Sequence, residues 1–275
     1  MVLDREKYIR EKLKAHYDEA CALGYEIFCV VLQGSQNYDL DIYSDEYQSD
    51  VDTKAIILPS FEDFCCGHSP LSTTHVRANN EHIDLKDIRA IFETFKKQNI
   101  NFVEILFSQY YIVPEKYAKY WGQLRRLGEQ LTHCHPAQAL KAMAGLSYEK
   151  HKALCHPYPS IVDKIEKYGY DGKQLHHILR INAFMKNYIA GISFEKCLNT
   201  RTEQELIQCI EAKLNKFPLD TAKKMADEVD NDNRQMKDEY INMHGTEIVD
   251  PIPYKELELI KIEILKQWFK EQLIT

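Results

Sequence analysis

The chain has 275 residues, enough for one large domain or two of ordinary size. An apolar share of 44% and a charged share of 28% describe a folded soluble protein, and no apolar run approaches the roughly 18 residues of a membrane span. A net charge of −7 excludes a broad basic coat for nucleic acid, though not a local basic groove.

The first stretch, MVLDREKYIREKLKAHYDEA, is charged and has no apolar h-region, so a cytoplasmic protein is expected. The 8 cysteines are irregularly spaced, with Cys65 and Cys66 adjacent, and are expected as reduced thiols. Residues 4–23 read as a helix. YEIFCVVLQ (25–33) reads as a strand that stops at Gly34-Ser35. SDVDTKAIIL (49–58) reads as a second strand, and the alternating run EHIDLKD (81–87) as a third. Asp87 then stands as the N-cap of a helix, DIRAIFETFKKQN. NFVEILF is apolar and fits either helix or strand.

Beyond about residue 115 the period becomes helical. PAQALKAMAGLSYEKHKAL, DGKQLHHILRINAFMKNYIAG, TEQELIQCIEAKLNKF and YKELELIKIEILKQWFKEQL follow one another, with Gly191, Pro218 and Pro251 as punctuation. The expected fold class is therefore α+β. An α/β-type N-terminal domain with a small mixed sheet covers 1–120, and an α-helical C-terminal domain covers 121–275.

Two aspartates one residue apart open the second strand. In a strand, alternate residues share a face, so Asp50, Asp52 and Lys54 are expected to project together. Two carboxylates so placed repel each other and can share divalent cations. Mg²⁺, a hard ion, takes one or two carboxylates together with substrate phosphates, and Mn²⁺ is the alternative. If the third strand lies beside the second, Asp84 completes a carboxylate triad, and two metals can clamp the attacking and leaving oxygens of a phosphoryl transfer. Asp87 is better placed as the helix cap. Gly34 lets the backbone approach a phosphate without a Cβ in the way, Ser35 adds a hydroxyl, and a helix following them would add free amides.

A strand, Gly-Ser, a loop, and Asp-x-Asp on the next strand together resemble the polymerase-β-like nucleotidyltransferase superfamily. Within it, GSQNYDL followed by SDVDTKAI is most similar to the minimal nucleotidyltransferases assigned to RNA-repair pathways, through Gly34, Ser35, Tyr38, Leu40, Ser49, Asp50, Asp52 and Lys54. Asp39 stands where that pattern has glycine, and the loop over 36–49 is longer than the pattern's. HIDLKDIRAIF and NFVEILFS resemble the family's third-carboxylate strand and the helix after it. The resemblance is clear over about 30–110, weaker to about 190, and absent beyond.

The resemblance implies a Mg²⁺-dependent enzyme that transfers NMP from a nucleoside triphosphate to an acceptor hydroxyl and releases pyrophosphate. Asp50, Asp52 and Asp84 would be its catalytic and metal-binding carboxylates. Gly34 and Ser35 would hold the β- and γ-phosphates, and Lys54 would neutralise charge in the transition state. The acceptor would be RNA or tRNA, or else a protein or small molecule modified by adenylylation. A nucleotide-binding module without turnover is the remaining alternative. The sequence names neither the preferred base nor the oligomeric state, and it carries no sign of a membrane partner.

In the helical part, Lys173, His176, His177 and Arg180 fall on one side of a helix, with Leu175, Ile178, Leu179, Met185 and Ile189 on the other. That basic side is either a solvated face or a phosphate-binding ridge. The resemblance favours the second, with Lys173, His177 and Arg180 as nucleotide ligands and Lys150 as a further one. HCHP (133–136) and HKALCHP (151–157) match no zinc spacing and read as packing or surface groups.

Overall fold

Asp4 accepts a hydrogen bond from the Lys7 amide and so caps the first helix, α1 (Arg5–Ala22). The computed structural model describes residues 4–45, 47–79 and 81–272. After α1 come β1 (Glu26–Gln33), a 3₁₀ turn (Ser35–Tyr38), β2 (Asp52–Leu58), α2 (Phe61–Cys65), β3 (Ser72–Val76), β4 (His82–Asp87) and α3 (Ile88–Lys96). NFVEILF resolves into the end of α4 (Ile100–Val103) and a 3₁₀ turn (Glu104–Phe107), and β5 (Tyr111–Ile112) follows. Then come α5 (Ala118–His133), α6 (Pro136–Ala153), α7 (Val162–Tyr168), α8 (Gly172–Ile189), α9 (Phe194–Asn199), α10 (Glu203–Lys213), α11 (Leu219–His244) and α12 (Ile252–Gln272). The architecture is α+β, with the strands in the first half and helices filling the second.

The five strands run in the order β3-β4-β2-β1-β5. β2 is antiparallel to β1 and parallel to β4, so the sheet is mixed. One core joins α1 to the sheet through Leu13, Ala20, Ile27, Val30, Ala55, Ile57, Ile83 and Leu85. β4 alternates, with Ile83 and Leu85 buried and His82, Asp84 and Lys86 half-exposed. β2 is central and buried along nearly its whole length, so Lys54 is carried inside with its apolar neighbours. β3 carries no sequence signal. STTHV is polar and largely exposed, and its pairing with β4 rather than burial sets its place.

The chain forms two compact units. One holds the described residues up to Cys134 together with those from Val249 onward; the other is His135–Ile248. The seam expected at 120/121 thus lies at 134/135, and α12 returns to the first unit. Within that unit, Tyr254 donates to the Lys96 carbonyl at 2.8 Å, Trp268 is buried against Phe64, and Lys116 bridges Glu26 and Glu271. A helical period says that a helix has an apolar side, not which surface will cover it.

In the second unit α8 packs against α6, α9, α10 and α11. Gly172 allows α8 to meet α10 closely, because a Cβ there would lie 2.0 Å from the Ala212 carbonyl oxygen. α11 buries only Ala222, Ala226, Asp230 and Asn233, which explains why no apolar period marks it in the sequence. Its buried polar groups are satisfied by neighbours. Ser147 donates to Asp230 at 2.7 Å, Asn233 donates to Ser147 at 2.9 Å, and Asn182 donates to Asn233 at 2.9 Å. The cysteines form no disulfide. Among the described residues no helix is long and apolar enough to cross a membrane.

Candidate functional site

β1 ends at Gln33, and Gly34 turns the chain with φ 97°, a conformation that side chains with a Cβ adopt only with strain. The helix expected after Gly34-Ser35 is one 3₁₀ turn of 4 residues, too short to contribute a helix dipole. Ser35 is half-buried, and its carbonyl accepts from the Leu40 amide at 3.1 Å. Gln36 is buried and ties the turn to the acidic segment: its amide donates to the Asp50 carbonyl at 2.7 Å and to the Tyr43 hydroxyl at 3.2 Å. Residues that match the family pattern hold this loop together. Tyr38 and Leu40 are buried, and Ser49 accepts from the Ile42 amide at 2.9 Å. Arg5 grips Asp41 through two nitrogens at 2.6 and 2.8 Å and reaches the Gln36 carbonyl at 2.9 Å. Asp39, in the place of the expected glycine, has φ 55°.

The register of the sheet decides which side chains share a face. Gln33 pairs with Asp52 and Val31 with Lys54 across β1 and β2; Lys54 pairs with Asp84 across β2 and β4. The strand of Asp84 therefore lies directly beside that of Asp52. β2 begins at Asp52, so Asp50 lies just outside the strand, with an exposed side chain, rather than in the alternating run expected for it. Asp52 accepts from the His82 amide at 2.8 Å and lies 3.5 Å from the His82 Nδ1.

Asp84 receives three donors. Thr74 Oγ1 donates to Oδ1 at 2.6 Å, while Lys54 Nζ at 3.1 Å and Gln33 Nε2 at 3.2 Å donate to Oδ2. Burial disfavours the Asp84 charge, but Lys54, Thr74 and Gln33 outweigh it, and the carboxyl is held below its usual range. Lys54 is buried, with its ammonium 4.1 Å from the centre of the Phe102 ring. Burial draws Lys54 below the usual lysine range, against the pull of Asp84 and then of Glu104, which is itself buried. Asp52 and Asp84 are hard oxygen donors on adjacent strands, the kind of ligand Mg²⁺ takes. Yet among the described residues no three His, Cys, Asp or Glu side chains are gathered as for a metal ion. The carboxylates expected as a triad are neighbours in the sheet, with Asp84 turned to Lys54.

In the second unit α6 and α8 bring Lys150, Lys173, His177 and Arg180 into one electrostatic group. Burial lowers the Lys150 pKa first, with Lys173 and Arg180 adding to it. His177 is pushed well below the usual histidine range, by burial and then by His176, Arg180, Lys150 and Lys173. The face is not the solvated ridge its period allows. Arg180 is 2% exposed, and His176 turns into the core, where its Nδ1 lies 3.0 Å from the Cys209 carbonyl and its pKa falls to about 3 through burial. Ile189, expected on the apolar side, is exposed. The histidines of 133–136 and 151–157 have ordinary partners: His133 pairs with Glu129, His135 bonds the Thr246 carbonyl, His151 pairs with Asp227, and His156 stacks on Tyr158.

Gln33, Thr74, Phe102 and Glu104 belong to the first site and were not anticipated. Glu104 alone carried a signal, a lone charge inside the apolar run NFVEILF. Thr74 and Phe102 reach the site through strand pairing and helix packing that no local pattern reports.

No protein-family model matches this chain, and no curated protein does. A solved structure, a nucleotidyltransferase-like protein from Exiguobacterium sibiricum 255-15, is similar over 86% of this chain and 77% of its own, with 14% identity and a TM-score of 0.28.

Proposed function

We propose that the protein is a metal-dependent nucleotidyltransferase that transfers NMP from a nucleoside triphosphate to an acceptor hydroxyl. The observation that carries this reading is the assembly at one end of β1 and β2. The Gly34 turn, with φ 97°, is hydrogen-bonded to the Asp50 carbonyl through Gln36, while Asp52 opens the neighbouring strand and pairs with the last residue of β1. A phosphate-approachable turn beside two adjacent carboxylates is what such a transfer needs.

On this reading Asp50 and Asp52 hold Mg²⁺ or Mn²⁺ by their carboxylate oxygens. The ion would supply charge neutralisation at the triphosphate. Gly34 leaves room for the phosphates, and Ser35 donates its hydroxyl to one of them. The acceptor oxygen bonds to the α-phosphorus as the bond to the β-phosphate oxygen breaks, and pyrophosphate leaves. Asp84 and Lys54 lie on the same face as Asp52. The basic group of Lys150, Lys173, His177 and Arg180 is proposed as an anion-binding set on its charge, with the three half-buried members as the reachable ones. RNA is the acceptor class that the resemblance suggests.

The test is incubation with each α-labelled nucleoside triphosphate, with Mg²⁺ or with EDTA, and a panel of RNA, tRNA, protein and small-molecule acceptors. Label should move to one acceptor class only with the metal. Asp52→Asn should lower turnover at least about 100-fold while the chain stays folded. Metal-dependent transfer that survives in Asp52→Asn would sink the assignment. Nucleotide binding without transfer to any acceptor would favour a binding module instead.

A further inference from the structure

Lys54 is an unusual occupant for a face read as cation-binding. Its side chain is 3% exposed, less than the 21% of Asp84. A compact ammonium is costly to bury, and it is buried here only with compensation. Asp84 supplies a carboxylate oxygen at 3.1 Å, the Phe102 ring lies at 4.1 Å, and the buried Glu104 adds a second negative field. Asp84 is committed in turn. A carboxylate offers about four lone-pair sites, and Thr74, Gln33 and Lys54 occupy three of them.

We propose that Lys54 is the resident cation of Asp84: its ammonium fills the position a metal ion would take there, so that Asp52, with Asp50, forms the metal-holding end of the site. The proposal rests on the metal-dependent reading above. Its physical basis is mutual exclusion. A divalent ion on Asp84 would stand within a few ångströms of the ammonium, and repulsion there is on the order of several kcal/mol even at an effective dielectric near 20. Relieving it would mean pulling Lys54 away from Asp84 and from Phe102. The lysine then acts on Asp84, orienting it and neutralising it, rather than on the nucleotide.

Mn²⁺ titration of the full chain, followed by electron paramagnetic resonance, tests this without relying on turnover. Asp52→Asn should weaken Mn²⁺ binding at least ten-fold, whereas Asp84→Asn should leave it within three-fold of wild type. Lys54→Met should bind Mn²⁺ at least five-fold tighter or take up an additional ion, and adding Asp84→Asn should remove that gain. If Asp84→Asn weakens binding as much as Asp52→Asn does, Asp84 is a metal ligand that Lys54 yields, and the proposal falls while the metal-dependent reading stands. A folded Lys54→Met with no gain overturns it as well. Should Lys54→Met fail to fold, the Asp84→Asn comparison decides by itself. Equal Mn²⁺ binding by wild type and Asp52→Asn would instead overturn the metal-dependent reading, and the resident-cation proposal with it.

Discussion

Asp39 ends the 3₁₀ turn in the left-handed region, at φ 55°. Aspartate tolerates that region better than most residues, and its amide bonds the Ser35 carbonyl. A β-branched residue has no such latitude. Asp39→Val should therefore destabilise the fold by about 1–2 kcal/mol. Asp39→Gly should stay within about 1 kcal/mol of wild type, because relief of the backbone offsets the greater entropy of the unfolded chain. Urea denaturation of both variants measures this, and equal losses would mean that the Asp39 side chain, not its backbone, holds the turn. At this scale the site was partly legible. Gly34, Ser35 and Asp52 stand out because their backbone and strand positions follow from covalent neighbours. Thr74 and Phe102 could not, because Asp84 and Lys54 meet them only across the sheet and a helix.

Helix α8 shows how a periodic pattern is reinterpreted by packing. Its basic side is compatible with solvent, but α6, α9, α10 and α11 surround the helix, and Arg180 and His176 are buried. Close approach to α10 depends on Gly172. Gly172→Ala would set a methyl 2.0 Å from a backbone oxygen that cannot swing aside. The two helices must separate, at a cost of about 1–3 kcal/mol. A melting temperature unchanged in Gly172→Ala would refute this packing. Arg180→Ala should also lower the melting point measured without nucleotide, by about 2–4 kcal/mol, since it empties a large buried volume. A merely solvated arginine would change stability by less than about 0.5 kcal/mol.

The stability of the first unit as a whole has a pH dependence that its buried charges set. Glu81 precedes β4, and its side chain is 4% exposed. It meets Lys12 at 2.8 Å, Arg77 at 2.8 Å and His16 at 3.1 Å, while His16 also bonds Thr53 at 3.0 Å. Glu81 thereby joins α1 to the sheet. Burial opposes its charge, but His16, Lys12 and Asn79 prevail and bring the pKa from 4.5 to about 2. A depressed carboxylate pKa stabilises the fold above the unfolded value and loses that contribution as pH falls through the folded value. The contribution of Glu81, about 3 kcal/mol, should thus be complete above pH 4.5 and should vanish by about pH 2. Comparing denaturation of wild type and Glu81→Gln across that window checks it. A difference that stays constant with pH would show that the carboxylate charge contributes nothing.

Local pattern sufficed for α1, β1, β2, β4, α3 and the capping of α3 by Asp87, because the period of buried positions and the chemistry of caps are properties of neighbouring residues. It also placed the Gly-Ser turn and the aspartate pair. It could not find β3, whose exposed residues show no alternation, or α11, whose buried face is alanine and polar. It could not assign α12 to the sheet-bearing unit, because an amphipathic helix does not encode its partner. The state of Asp84 lay furthest from view. Its pairing with Lys54, Thr74 and Gln33 arises where separate stretches of chain meet in register, and only the assembled sheet brings those donors within hydrogen-bonding distance.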